Sequence, residues 1–64
     1  MSKFSILLKK TRRKLGLTQE DLARELNVSW VTINRWENGK TVPFKNTMMQ
    51  FVKFCRENNV NYDE

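Results

Sequence analysis

The apolar residues of this chain recur every three or four positions, and no window alternates apolar and polar residues between turn signals. That spacing predicts helices and no strands. Phe4, Leu7, Leu8, Thr11 and Leu15 fall at i, i+3, i+4, i+7 and i+11, one face of a first helix. Gly16 follows where a left-handed residue would end it. Thr18 opens a second helix. Asp21 stands at capping-box spacing from it, and Leu17 with Leu22 occupies the two positions of a hydrophobic staple. Glu20 and Asp21 place negative charge in the first turn, where the helix dipole favours it. Leu22, Ala23 and Leu26 form the short apolar face, and Asn27 ends it. The same start then repeats. Ser29 is the cap, Val28 and Ile33 form the staple, and the third helix runs from Trp30 to Asn38 with Gly39 beyond it.

Only Asn27 and Val28 separate the last turn of helix two from the cap of helix three. A connection that short forces the two helices to cross sharply, which is helix-turn-helix spacing. Pro43 suits the first turn of a fourth helix. Phe44, Met48, Phe51 and Cys55 give its apolar stripe with Val52 flanking, and it ends near Asn58 and Asn59. Val60 and Tyr62 are placed to fold back on the core, and Asp63 and Glu64 to fray. The expected core is Leu8, Leu15, Leu17, Leu22, Ala23, Leu26, Val28, Ile33, Trp36, Met48, Phe51, Val52 and Cys55.

Sixty-four residues make one small domain, 1–64, with the helix-turn-helix over 18–38. A chain of this size buries only about 60% of its unfolded surface, too little for most enzyme scaffolds. It has no repeat, low-complexity tract or linker, and no His, the commonest general base and metal ligand. Its single cysteine, Cys55, rules out an intramolecular disulfide and a cysteine zinc cluster, and reads as a small buried hydrophobe. No catalytic residue, metal site, cofactor or small-molecule ligand is expected. The apolar run Phe4 to Leu8 is too short for a secretion signal or a membrane span, and a cytoplasmic location follows as the expectation. The charge is +5 and lopsided: residues 1–16 carry six bases and no acid. That end favours an anionic partner, nucleic acid or an acidic membrane surface.

The stretch LGLTQEDLARELNVSWVTINRWENGKTVP resembles the helix-turn-helix domains of the phage repressor and Cro type, also called XRE-like regulators. The likeness covers Phe4 to Tyr62. It rests on the Gly-Leu-Thr-Gln opening, the Leu-Ala of helix two and the Trp-Glu-Asn-Gly-Lys close, all at the right spacing. It implies an all-α, lambda-repressor-like bundle of four to five helices whose third helix lies in the major groove of double-stranded DNA. By position, Gln19 resembles the phosphate-binding glutamine of the family. Arg12 resembles the arginine that pairs with the glutamate closing helix three, here Glu37. Ser29, Asn38 and Lys40 match positions that approach the DNA backbone, and Trp30, Val31, Asn34 and Arg35 match positions facing base edges. The sequence departs from the family at three places. Trp30 and Val31 stand where polar readers are usual, Lys45 replaces an apolar residue, and a fifth helix is cut to a turn at Asn61 to Glu64. The last departure weakens the case for dimerisation through that region.

Helical geometry supports the groove reading without the resemblance. With Ile33 and Trp36 facing inward, residues 30, 31, 34 and 35 lie on the opposite side of helix three. Arg35 has the donors for a guanine edge, and Asn34 the donor and acceptor for adenine. Arg35 is alternatively a solvated charge near a helix C-terminus. Gln19, at the first position of helix two, sits where unpaired N–H groups meet a phosphate, or is a neutral surface residue. Arg12 and Glu37 read as a surface ion pair worth under about 1 kcal/mol, compatible with Arg12 also touching phosphate. Lys9, Lys10, Arg12, Arg13 and Lys14 read as attraction to DNA backbone, as a membrane-surface helix, or as plain solvated charge. The expected function is therefore sequence-specific binding of double-stranded DNA by a small prokaryotic or phage regulator, as a possible homodimer on a palindromic site. An antitoxin or restriction controller, and a protein-interaction module using Trp30 and Val31, are the alternatives.

Overall fold

The computed structural model describes residues 3–60, and these form α1 (Lys3–Lys14), α2 (Gln19–Leu26), α3 (Trp30–Glu37) and α4 (Lys45–Glu57). No strand occurs among the described residues. The turn expected at Asn61 to Glu64 and the inward Tyr62 lie outside them.

Each helix is closed by the same device. Gly16, Asn27, Gly39 and Asn59 all adopt positive φ, at 68°, 57°, 73° and 58°. The next residue then bonds back five positions. Leu17, Val28, Lys40 and Val60 donate their N–H groups to the carbonyls of Arg12, Ala23, Arg35 and Cys55 at 2.8–3.0 Å. This satisfies carbonyls that a helix end otherwise leaves orphaned. Leu17 and Val28 pack partly buried on the core and Val60 is itself buried. Lys40 alone of the four is polar and exposed.

The helix starts follow the expected chemistry in α2 and α3. Thr18 Oγ1 accepts from the Asp21 N–H, and the Asp21 carboxylate accepts from the Thr18 N–H, both at 3.0 Å. Together with the Thr18 side chain, the bond from the Thr18 N–H holds the exposed Asp21 carboxyl below the usual carboxylate range, the Thr18 backbone contributing most. Ser29 Oγ accepts from the Thr32 N–H at 3.2 Å. The start of α4 differs from expectation. Pro43 lies before the helix, and Phe44 is the cap residue in extended conformation with no side-chain cap bond, 89% exposed as a residue. A residue outside the helix does not continue the helical stripe, so Phe44 is lost to the core.

Leu8, Leu22, Ala23, Leu26, Ile33, Trp36, Phe51, Phe54, Cys55 and Val60 form that core. Leu15, Leu17, Val28 and Met48, expected inside, pack against its edge and are half-buried. Val52 is half-buried as well, and Phe54 takes the inner place instead. The swap follows from what α4 meets: Phe54 faces the end of α2, beside Leu26 and Asn27. Phe4 of α1 ties the ends together, its ring edge-on to Trp36 at 5.9 Å and to Phe51 at 5.5 Å. Burial pushes the Cys55 thiol up, as for an inert core cysteine.

Candidate nucleic-acid interface

The short turn between α2 and α3 places the start of α2 beside the middle of α3, and the end of α1 reaches both. Glu37, the last residue of α3, is where they converge. Its side chain is 2% exposed. One carboxylate oxygen accepts from Arg12 Nε at 2.6 Å. The other accepts from Arg12 Nη2 at 3.1 Å and from Gln19 Nε2 at 3.0 Å. Arg12 Nη1 also donates to the Leu17 carbonyl at 3.0 Å, fixing the guanidinium to the α1–α2 turn. The pair expected at the surface has its carboxylate buried and its guanidinium half-buried, because α1, α2 and α3 close over Glu37. Burial alone would push the Glu37 carboxyl up. The bonds from Arg12 and Gln19, with the charges of Arg12 and Lys9, outweigh it and hold the group below its ordinary range. The bond to Glu37 in turn raises Arg12, whose charge is permanent in any case.

The bonds continue outward from Gln19. Its Oε1 accepts from Asn34 Nδ2 at 3.3 Å, and Asn34 Oδ1 accepts from Asn38 Nδ2 at 3.0 Å. Five residues, Arg12, Glu37, Gln19, Asn34 and Asn38, thus share one network spanning three helices. Resemblance alone had indicated the link of Arg12 to Glu37. Nothing in the sequence ties the three amides together beyond the spacing of Asn34 and Asn38, which is that of a helical side-chain pair.

The other expected site residues stand clear of this network. Trp30 is 49% and Val31 48% exposed at the start of α3, and Arg35 is exposed one turn on. Ser29 and Lys40, also exposed, flank the two ends of α3. On α1, Ile6, Lys9, Lys10, Arg13 and Lys14 line a shallow outward groove. Phe4 and Leu7 pack against the core and Leu8 is buried, so the apolar face that membrane attachment would need is already occupied. No helix among the described residues is long and apolar enough to cross a membrane. No cluster of metal-ligating side chains occurs among them either.

Two short capped helices joined by a tight turn, the second with an exposed outer face, define a helix-turn-helix DNA-binding domain. The chain belongs to the helix-turn-helix family, whose profile matches residues 8–57. It is therefore a DNA-binding domain of the kind used in transcription regulation. It is similar to the type II methyltransferase M1.ScrFI of Lactococcus lactis subsp. cremoris, with 36% identity over 56 residues. The match covers 83% of this chain and 14% of that protein. No solved structure matches.

Proposed function

We propose that residues 1–64 act as a single domain that binds double-stranded DNA sequence-specifically, in a small prokaryotic or phage regulator working in the cytoplasm. The observation that carries this is the exposed face of α3, which presents Trp30, Val31 and Arg35 between Ser29 and Lys40. In this reading α3 lies in the major groove. Arg35 donates to a guanine edge, Val31 packs on a thymine methyl, and Trp30 covers sugar or methyl surface. Ser29, Asn38 and Lys40 hold backbone at the two ends of α3. Gln19 meets a phosphate at the start of α2, where unpaired N–H groups point outward, and Arg12 backs it. One such domain covers few base pairs, so two copies pair on palindromic half-sites about 34 Å apart.

The methyltransferase relative favours a second reading, a DNA-binding controller of a restriction–modification system. Selection from random duplexes, followed by affinity measured against salt, tests the first. A recovered palindrome and a steep loss of affinity with salt support it. With Arg35→Ala, preference should relax at one base position, at a cost of about 1–3 kcal/mol. Equal weakening on specific and random DNA would remove Arg35 as a reader. No binding to duplex even at low salt would instead favour a protein-interaction surface at Trp30 and Val31.

A further inference from the structure

We infer that Asn34 is a positioning residue of this interface and not a reader of bases: it holds Gln19 and Asn38 in register so that both grip the DNA backbone. The inference rests on the DNA-binding reading above and assigns Asn34 a different task within it. Glu37 is ionised and accepts only, so Gln19 must turn its NH2 toward it. Gln19 Oε1 then faces Asn34, which must supply its own NH2. Asn34 Oδ1 is left to face Asn38, which must again donate. The acceptor-only carboxylate at one end thus fixes the orientation of three amides in sequence. Reading adenine requires both ends of one asparagine amide to face the base. Asn34 has each end engaged on another side chain and is half-buried beneath them, unlike its exposed neighbour Arg35. Its two partners sit at the start of α2 and just past the end of α3, the places proposed to flank the bound groove. Fixing their amides before DNA arrives removes ordering that binding would otherwise have to impose.

The test compares wild type, Asn34→Ala, Gln19→Ala and the double variant on the selected duplex and on random duplex. Asn34→Ala should weaken both by about fivefold, the worth of one net hydrogen bond, and leave the base-preference profile unchanged. In the Gln19→Ala background it should cost clearly less, because the share that passes through Gln19 is already gone and only the share through Asn38 remains. A merely structural role would lower thermal stability without that coupling on DNA. If Asn34→Ala fails to fold, the wild type answers by NMR: the Asn34 side-chain amide protons should stay close to Gln19 in the complex and show no contact with base protons. A change of preference at one base position, contacts to base protons, or full additivity with Gln19→Ala would overturn the inference. Failure of the wild-type protein to bind duplex DNA would instead remove the reading on which it rests.

Discussion

Replacing Glu37 with alanine removes one carboxylate on which three side-chain donors converge. What remains is an arginine 17% exposed, keeping only its bond to the Leu17 carbonyl, and a half-buried glutamine amide without its acceptor. Breaking a buried pair from one side costs about 3–5 kcal/mol. Arg12 still reaches water at its edge, so the lower end applies, about 3 kcal/mol. A domain of this length has about 3–10 kcal/mol in total, which makes the loss a large share. The melting temperature should fall by about 12–24 °C. Urea unfolding followed by tryptophan fluorescence is the assay. Trp36, 5% exposed, reports the transition, whereas Trp30 is half in water already. The double variant Arg12→Met/Glu37→Leu should recover part of the loss, since apolar side chains replace both charges while Gln19 still lacks its acceptor. A cost below about 1 kcal/mol for Glu37→Ala, the level of a surface pair, would refute the reasoning. So would a double variant no more stable than the single one.

Three further outcomes are expected. Glu37 titrates lower folded than unfolded, so its stabilisation is full above the ordinary value of 4.5 and is lost as pH falls through its own lower value. Glu37→Gln should flatten that part of the acid limb in urea midpoints measured against pH, and an unchanged limb would assign it to other carboxylates such as Asp21. Asn27 holds φ at 57° to close α2, so Asn27→Val should cost about 1–2 kcal/mol while Asn27→Gly stays near neutral in denaturant titration. Uracil in place of the thymine facing Val31 should weaken binding by about 0.8 kcal/mol, one buried carbon. Unchanged affinity after uracil substitution throughout the half-site would end the methyl-contact assignment.

The helix boundaries were legible because their causes are local. Thr18 with Asp21, Ser29, Gly16 and Gly39 act within a few residues of themselves, and each appears where its spacing put it. Asn59 as a fourth left-handed closure was less visible, since Asn tolerates that conformation without requiring it. Periodicity also gave the centre of the α4 stripe but not its edge. Val52 and Phe54 flank the same line on either side, and only the position of α2 decides that Phe54 goes in.

The site shows the same boundary between local and tertiary causes. A helical wheel assigns residues 30, 31, 34 and 35 to one outward face because it records angle alone. It holds no information about a neighbouring helix whose first side chain leans across that face. Gln19, drawn toward Glu37 by a buried negative charge, does so at Asn34 and leaves Trp30, Val31 and Arg35 open. Once the helices bury that carboxylate, it stays charged because Arg12, twenty-five residues away along the chain, pairs with it and offsets the burial. Lys40 gives the converse case. At the place where Leu17, Val28 and Val60 turn an apolar side chain onto the core, it presents an exposed cation. Packing does not call for a charge there, so its reason is sought outside the fold, in the phosphate backbone proposed to lie against that end of α3.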